Sequence, residues 1–437
     1  MRFVDLFAGL GGFHVALGSL DWECVFACEI DEELRHLYRK NFPAYKGPIE
    51  GDIRDAKHLI PAHDVLCAGF PCQPFSKSGS QIGVLDKSLG TLFHEIVEII
   101  ERHRPRFVIL ENVGNFERHD SGRTWAIVRD SLEALGYHVR ATEHKASGGE
   151  GLISPHHLGF PHHRERFFVV ASSEQLKGKL FPRSVRSAHT RIKSLADEDL
   201  NDEDHKETRL SRQQIECVDH WNQLLRALPE SEVPSLPSFP IWGDEFGATY
   251  PFKHKTPLTI TKRELVRHIS RNGHGPKSRT TKAELLAALP AYALRTPVFP
   301  DWKVNFINQN RLWFESIADR IPLGWTERLR SFPPSLRKLE WNCKGEERNL
   351  WRHILQFRPS GLRVKRYENI PALVSMTTTQ IPILGPKARF ITRREGLMFQ
   401  GFTELFGLPK LRPDAFKALG NAVHVGVVLH LVDAMDL

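Results

Sequence analysis

The sequence predicts an α/β protein with a doubly wound, mostly parallel sheet and a second, smaller domain. Three observations lead to this prediction. Apolar, β-rich runs alternate with helical patterns over roughly the first 172 residues, which is typical of a parallel sheet covered by helices. A glycine-rich turn follows the first of these runs. After Ser173 the alternation stops, and the chain is rich in Pro, Trp, Arg and Lys to about residue 365.

The individual elements follow from these runs. Asp31 is a suitable N-cap for a helix, because a short carboxylate there accepts a backbone hydrogen bond. The charged stretch 201–207 is predicted to be a surface loop. The predicted domains are 1–173, 174–390 and a segment 391–437 that returns to the first domain. Strands are predicted at residues 2–7, 23–28, 63–68, 106–110 and 166–172, and helices at 13–20, 32–41, 90–102 and 414–435.

Composition narrows the class of protein. Of 437 residues, 60 are Lys or Arg and 52 are Asp or Glu. The net charge of +8 favours a polyanionic partner, with a mildly basic surface as the alternative. No apolar run reaches the ~18 residues of a membrane helix, and Asp5 interrupts the first apolar run, so neither a membrane span nor a signal peptide is expected. Six cysteines without a secretory signal are expected to be free thiols.

The first chemical signal is the glycine-rich turn at residues 9–12. Glycine lets the backbone approach a ligand closely, although a dinucleotide site would have a third glycine where His14 stands. Glu29 ends the next strand, where its carboxylate could bind ribose hydroxyls, and Asp52 follows the third element, within reach of an adenine amine. These features predict a nucleotide-like cofactor. A tight turn with two helix caps is the alternative.

The second signal is Cys72, which stands between Pro71 and Pro74 in a loop that follows a predicted strand. The carboxyl end of a parallel strand is where α/β enzymes place ligands, and prolines limit the freedom of the backbone. A nucleophile needs this fixed geometry together with a lowered pKa. A buried structural cysteine is the alternative, and it is the interpretation for Cys67.

Two more signals stand near strand ends. Glu111 ends a β-run, where it can act as an acid, with a helix cap as the alternative. Arg164 and Arg166 are two residues apart on an extended chain, so they point the same way and suit a carbonyl oxygen or a phosphate. Adjacent histidines at 156–157 and 162–163 point to opposite faces, so no metal site is expected there.

In this order, the segments resemble the motifs of the DNA (cytosine-5) methyltransferase family of prokaryotic restriction–modification systems. The resemblance covers about residues 1–172 and 355–437. One departure is His162, where the family usually has a glutamine that supports the site with a hydrogen bond. The matching segments are FAGLGG (7–12), GDIRD (51–55), GFPCQPFS (69–76), ENV (111–113), RER (164–166), RREG (393–396), QGF (400–402) and LGNAV (419–423).

The resemblance implies the fold of S-adenosylmethionine-dependent methyltransferases and a role for each matching residue. Cys72 is the expected nucleophile, and Glu111, Arg164 and Arg166 are expected around the target base. The residues expected to bind S-adenosylmethionine are Phe7, Gly9, Gly11, Gly12, Glu29, Ile30, Asp52, Ile53, Pro71, Leu92, Asn421 and Val423.

The resemblance also implies the reaction. A methyl group passes from S-adenosylmethionine to carbon 5 of a cytosine flipped out of a specific double-stranded DNA site, through a covalent bond between Cys72 and carbon 6. Residues 174 to about 365 take the place of a target-recognition domain, with 262–282 as a candidate phosphate-binding part and Trp242, Trp302, Trp313, Trp325 and Trp341 in its core. The expected protein is a monomer in the bacterial cytoplasm that binds double-stranded DNA and no metal. A restriction endonuclease that acts on the same site is a candidate partner, and the sequence does not show whether one exists.

Other functions remain open at this point. RNA cytosine-5 methyltransferases of the tRNA-modifying branch share the catalytic set, but tend to have a shorter recognition region and Cys-Phe-Thr where this chain has Cys72-Gln73-Pro74. A DNA-binding regulator that retains the fold would not need Cys72, Glu111 and Arg166 together. A nicotinamide-dependent oxidoreductase is disfavoured by His14 and by the nucleophile loop.

Overall fold

The computed structural model describes residues 1–70, 92–176, 179–182, 192–196, 200–270, 280–373, 380–403 and 406–435. The predicted site residues Pro71 and Cys72 lie outside the described residues.

The strands in the described residues are Arg2–Leu6 (β1), Glu23–Cys28 (β2), Ile49–Glu50 (β3), Val65–Gly69 (β4), Phe107–Val113 (β5), His138–Ala141 (β6), His162–His163 (β7), Arg166–Ser172 (β8), Ile241–Trp242 (β9), Lys338–Asn342 (β10), Ile354–Arg358 (β11), Gly361–Lys365 (β12), Ile370–Pro371 (β13), Ile383–Leu384 (β14) and Arg389–Phe390 (β15).

Fifteen α-helices accompany these strands in the described part of the chain. They are Gly12–Gly18 (α1), Glu32–Asn41 (α2), Ile53–Ala56 (α3), Leu92–His103 (α4), Arg123–Ala134 (α5), Ile192–Leu195 (α6), Asp202–Thr208 (α7), Arg212–Arg226 (α8), Lys262–Ser270 (α9), Lys282–Ala287 (α10), Asp301–Ile317 (α11), Trp325–Arg330 (α12), Arg393–Phe399 (α13), Arg412–Asn421 (α14) and Val425–Ala434 (α15).

Seven strands form one sheet in the order β3-β2-β1-β4-β5-β8-β6. Strand β1 pairs in parallel with β2 and β4, and β4 with β5, whereas β8 runs antiparallel to β5 and β6. This topology confirms the predicted doubly wound, mostly parallel sheet. The strand order reverses between β1 and β4, and ligands of such sheets bind at that reversal, beyond the carboxyl ends of the strands.

The core beside this sheet follows from the alternation of side chains along each strand. Val4 and Leu6 of β1 face a cluster completed by α4 and α5, and Asp5 points to the opposite face. Helix α4 buries Phe93, Ile96, Ile99 and Ile100, the apolar stripe that its sequence predicts. The predicted N-cap of α2 is confirmed, because the side chain of Asp31 accepts a hydrogen bond from the Leu34 amide at 3.2 Å.

Two predicted elements differ from the structure. The stretch 414–435 is two helices rather than one, because Ala422 and His424 have extended backbone conformations between α14 and α15. The stretch 201–207 forms most of helix α7 instead of a loop. The Asn201 side chain caps this helix by accepting a hydrogen bond from the Asp204 amide at 2.8 Å. Three acidic residues in the first turn of the helix also stabilise it, because their negative charges lie near the positive end of the helix dipole.

The stretch Arg412–Ala434 is long and apolar enough by composition to cross a membrane, but 72% of its apolar window is buried inside the protein. It is therefore placed as a core element, and α15 packs against α1.

The chain forms two compact units, one of Met1–Glu207, Glu368–Thr378 and Ile391–Leu437, and the other of Thr208–Tyr367 and Thr379–Phe390. We call the second the inserted unit. Its six-stranded sheet has the order β15-β14-β11-β12-β10-β9. The predicted burial is confirmed for Trp242, Trp325 and Trp341, but it is wrong for Trp302, whose 56% exposure leaves it on the surface of α11.

Candidate active site

The predicted site residues stand at one edge of the seven-stranded sheet. Because β1, β2, β3, β4 and β5 are parallel, their carboxyl ends meet at the same edge. Strand β8 is antiparallel, so its first residue, Arg166, lies at this edge too. The residues that end or follow the five parallel strands are Phe7, Glu29, Asp52, Gly69 and Glu111.

The turn after β1 has an unusual backbone. Phe7, Gly9 and Gly11 have φ angles of 58°, 54° and 81°, in the left-handed region that favours glycine. A Cβ on Gly11 would lie 2.5 Å from the ring of Phe42, and one on Gly12 would lie 2.6 Å from both the Cγ1 and the carbonyl oxygen of Val423. The carbonyl oxygen of Val423 is a backbone atom, so it cannot move away by a side-chain rotation. Both glycines are therefore needed by packing, and Val423 closes the turn from the C-terminal segment.

Glu29 is held beside this turn. Its carboxylate accepts the Gly9 amide at 2.8 Å and the Asp31 amide at 2.9 Å, so each oxygen has one backbone partner and a lone pair remaining. Ile30 is next to it and is 71% exposed, which is unusual for a large aliphatic side chain. A polar clamp beside an exposed apolar surface suits a ribose with its adenine.

Asp52 comes two residues after the neighbouring strand β3, whose Glu50 carbonyl accepts the Glu29 amide at 2.9 Å. Its carboxylate caps α3 through the Arg54 amide at 3.0 Å and also accepts from the Arg54 guanidinium, which lowers the pKa of Asp52. The predicted contact with adenine would have to be shared with Arg54. Ile53 is buried beneath.

The remaining predicted cofactor residues have mixed surroundings. Leu92 begins α4 and packs against the main core. Asn421 is the exposed last residue of α14, and Val423 lies in the break before α15.

Glu111 and Arg166 form an ion pair, with 2.9 Å between the carboxylate Oε1 and the guanidinium Nε. Both side chains are largely buried, at 10% and 17% exposure. Glu111 pairs with Gly69 across β4 and β5, and the Asn112 side chain donates to the Phe70 carbonyl at 3.0 Å. The last described residues before the predicted nucleophile loop are thus fixed beside the carboxylate.

Arg164 has a different environment from Arg166. It is 2% exposed, and its guanidinium donates to the carbonyls of Gly420 at 2.9 Å and Ala422 at 2.8 Å. Burial lowers its pKa well below the usual range. The sequence predicts Arg164 beside the target base. In the structure, its bonds hold the end of α14 and the break between α14 and α15 that contains Val423.

His162 replaces the usual glutamine and is fully buried in β7. Its Nδ1 donates to the Phe399 carbonyl at 2.9 Å, and burial keeps its pKa well below the ordinary value. A neutral imidazole thus makes a hydrogen bond to the last residue of α13.

Sequence reasoning missed a buried polar chain beneath the glycine-rich turn. Tyr38 donates its hydroxyl proton to the Asp5 carboxyl at 3.2 Å and lies 2.8 Å from the Nδ1 of His14. Burial raises the pKa of Asp5 to about 8 and lowers that of His14 to about 4. A carboxyl group inside an otherwise apolar strand was the available signal.

Among the described residues, no group of three His, Cys, Asp or Glu side chains is arranged to hold a metal ion. Cys24 and Cys28, whose spacing resembles that of some metal ligands, are buried free thiols, and burial raises the pKa of each to about 12.

The sequence profile of the C-5 cytosine-specific DNA methylase family matches residues 1–436. The chain belongs to that family. It is therefore a DNA cytosine-5 methyltransferase, and its α/β fold is that of the family. The resemblance of its motifs is confirmed over the whole chain rather than over its two ends alone.

Relatives of this methyltransferase come from restriction–modification systems. Type II methyltransferase M.AluI of Cellulosimicrobium cellulans is 33% identical over 98% of this chain and 91% of its own length. Type II methyltransferase M.HhaI of Haemophilus parahaemolyticus is 38% identical over 49% of this chain and 64% of its own. A solved structure of a putative DNA modification methyltransferase from an Escherichia coli prophage is 17% identical over all of this chain and 98% of its own, with a TM-score of 0.49.

Proposed function

We propose that this methyltransferase acts on a cytosine flipped out of a specific duplex site, with S-adenosylmethionine as the methyl donor and Cys72 as a covalent nucleophile. The observation that supports this best is the Glu111–Arg166 pair. It lies largely buried at the sheet edge, next to Gly69, from which the Cys72 loop leaves the sheet.

The chemistry explains why a thiolate, a carboxyl group and a guanidinium are needed together. Carbon 5 of cytosine is a weak nucleophile. When the Cys72 thiolate bonds to carbon 6, the electrons of the C5–C6 double bond move toward carbon 5. Glu111, near ring nitrogen 3, would supply the proton that neutralises this charge, and Arg166 would hold the carbonyl oxygen at carbon 2.

The end of the reaction restores the enzyme. Once carbon 5 has taken the methyl group, with the bonding electron pair left on the donor sulfur, a base would remove the proton from carbon 5. The double bond would then re-form as the C6–S bond breaks, which releases the Cys72 thiolate, and the proton on ring nitrogen 3 would return to Glu111. Carbon 6 is inaccessible in a base pair, so the base must leave the helix first.

The residues beside β1 and β2 suit S-adenosylmethionine, which supplies an electrophilic methyl group on a sulfonium when bound. Glu29 has a lone pair on each oxygen for the ribose hydroxyls, and the exposed Ile30 offers an apolar surface for adenine. The left-handed turn at Gly9 and Gly11 lets the backbone approach a ligand without side chains in the way. Arg164 is assigned a positioning role instead of contact with the base.

The inserted unit is the proposed reader of the DNA site, because phosphate contacts alone do not select sequence. Its 160 residues from Thr208 to Tyr367 provide a separate core for that purpose. We further propose a monomer in the bacterial cytoplasm that protects the host from a cognate endonuclease. The RNA alternative is weaker, since the relatives are named as type II and DNA-cytosine methyltransferases.

The deciding experiment pairs two variants with duplexes that contain 5-fluorocytosine. Fluorine cannot leave as a proton does, so the wild type should stop as a covalent adduct that survives denaturation. Cys72→Ser should form no adduct and should still bind DNA, because affinity comes mainly from phosphates. Glu111→Gln keeps the thiolate and should form the adduct slowly, with a rate lower by about 10²–10⁴-fold.

Cys67→Ser is the matched control, because Cys67 is a buried thiol of β4 and stands five residues before Cys72 in the sequence. It should form the adduct as the wild type does. An adduct formed by Cys72→Ser would show that another residue is the nucleophile.

A further inference from the structure

One part of the inserted unit has a large excess of positive over negative side chains. Residues 252–303, which we call the basic segment, contain eleven of the 60 Lys and Arg residues and three of the 52 Asp and Glu residues. Their net charge is +8, equal to that of the entire chain. The other residues carry equal numbers of both signs, so the attraction for a polyanion originates here.

Two helices of this segment form a small scaffold. Residues 261–265 and 281–285 both read Thr-Lys-x-Glu-Leu, and they begin α9 and α10. In each, the threonine hydroxyl accepts the glutamate amide at 3.2 Å, and the glutamate carboxylate accepts the threonine amide, at 2.8 Å in α9 and 2.6 Å in α10. These are capping boxes, which fix where a helix begins.

The helix pair has its own core. Ile260, Leu265 and Leu285 are buried at 3%, 0% and 2% exposure, and Val266 and Leu286 pack against them. The scaffold is therefore held by apolar contacts, and its cations are not needed to hold it together.

The cationic face lies opposite this core. Arg263 and Arg267 are exposed and one helical turn apart, about half a turn around α9 from the buried Leu265. Like charges at this spacing destabilise a helix. Neither guanidinium has an ion-pair partner within the described parts of the chain, and two of the segment's acidic residues, Glu264 and Glu284, are engaged in the caps.

We propose that the α9 face formed by Arg263 and Arg267 binds phosphates of the DNA backbone and holds the duplex without reading its bases. This proposal rests on the proposed action on duplex DNA. The occupant is a polyanion because the face offers only cations, and duplex DNA carries one negative charge per ~1.7 Å of its axis.

The test is the salt dependence of binding to duplex that lacks the target site. Each phosphate contact contributes about 0.9 to the slope of log K against log salt, so Arg263→Gln with Arg267→Gln should flatten the slope by about 1.8. Arg263→Lys with Arg267→Lys keeps both charges and should keep the slope. Glutamine and lysine are good helix formers, and circular dichroism verifies that each variant is folded.

Arg226→Gln with Lys344→Gln is the matched control, since both side chains are exposed cations of the inserted unit outside the basic segment. It should change the slope much less. Equal flattening in this control, or an unchanged slope in the double glutamine variant, would overturn the proposal. So would a new set of methylated sites in the double lysine variant, because that would mean base reading.

A methylation assay on the same protein samples distinguishes a failure of the α9 proposal from a failure of the proposed function. Wild-type protein is first tested for transfer of labelled methyl groups to target duplex. Failure there concerns the proposed function, whereas active wild type with an unflattened glutamine variant concerns the α9 face alone.

Discussion

Arg164 and Arg166 are two residues apart, yet their surroundings assign them different work. Arg166 meets the Glu111 carboxylate, and Arg164 meets backbone carbonyls at the end of α14. An extended chain predicts that both point the same way, but it does not predict a partner more than 250 residues distant. The sequence therefore identified both arginines as candidate site residues. It gave no signal that Arg164 donates hydrogen bonds to backbone carbonyls at the end of α14.

Lysine substitutions should separate the two arginines. Lysine keeps the charge but lacks the planar fork, so Arg164→Lys should lose buried hydrogen bonds and destabilise the protein by about 1.5–3 kcal/mol. Arg166→Lys should melt near the wild-type temperature and methylate at least tenfold more slowly at saturating DNA. Thermal melts and single-turnover rates provide the measurement. The same pattern in both variants would contradict the assignment.

Asp5 should make stability depend on pH in the direction opposite to that of a paired carboxylate. Its native pKa is about 8, against 3.8 for an ordinary aspartate, so the native state keeps a proton that the unfolded state releases between these values. Stability should therefore fall as pH rises from about 4 to 8, by up to about 1.4 kcal/mol per pH unit. Asp5→Asn removes this loss.

Urea unfolding at pH 5, 6.5 and 8 measures the effect. The difference in unfolding free energy between Asp5→Asn and wild type should move in favour of the variant as pH rises. A difference that stays constant with pH would show that Asp5 is ionised in the native protein.

At the level of elements, the turn between β1 and α1 depends on contacts from the far end of the chain. The sequence predicted α2 with its cap, because a carboxylate before a helical pattern is a local signal. It did not predict the break between α14 and α15, whose apolar pattern continues through 422–424. That break depends on Arg164 and on the close approach of Val423 to Gly12, which are tertiary contacts.

Gly12→Ala tests this close approach. The added Cβ would lie 2.6 Å from the carbonyl oxygen of Val423, so the turn or the break must move. We expect the Kd for S-adenosylmethionine to rise at least tenfold, while binding of duplex DNA stays near wild type. Isothermal titration with the cofactor and a filter assay with DNA measure both.

Gly18→Ala is the control on the same helix. Its Cβ would lie 3.6 Å from the His14 ring, an ordinary contact, so alanine should be neutral or slightly stabilising there. An unaffected cofactor affinity in Gly12→Ala would mean that the turn tolerates displacement.

On the scale of the whole molecule, one compact unit contains the seven-stranded sheet with the candidate active site, and the inserted unit forms the other. We expect that exchanging 208–367 and 379–390 for the matching region of a relative that methylates a different site moves the methylated site. Cofactor affinity should stay nearly unchanged, since Gly9 and Glu29 belong to the other unit. Bisulfite sequencing of random-sequence DNA reads the site. A chimera that kept the original site would place recognition elsewhere.

The sequence predicted this division only in outline. A change of composition after Ser173 marks the end of the sheet, but Met1–Glu207 forms one compact unit that includes α7. The inserted unit lacks the βα alternation, so its mixed six-stranded sheet had no periodic signal. Its pairing joins strands far apart in sequence, such as β9 with β10.

The unit that contains the seven-stranded sheet is formed by segments on both sides of the inserted unit, and this affects how it folds during translation. Helix α1 is synthesised before the inserted unit, but its partner α15 is synthesised after it. At about 5–20 residues per second, the 160 residues from Thr208 to Tyr367 alone take roughly 8–32 s. During that time Phe13 and Leu17, buried in the finished protein, have no α15 to cover them. We therefore expect the nascent chain to expose this apolar surface to chaperones until α15 has been synthesised.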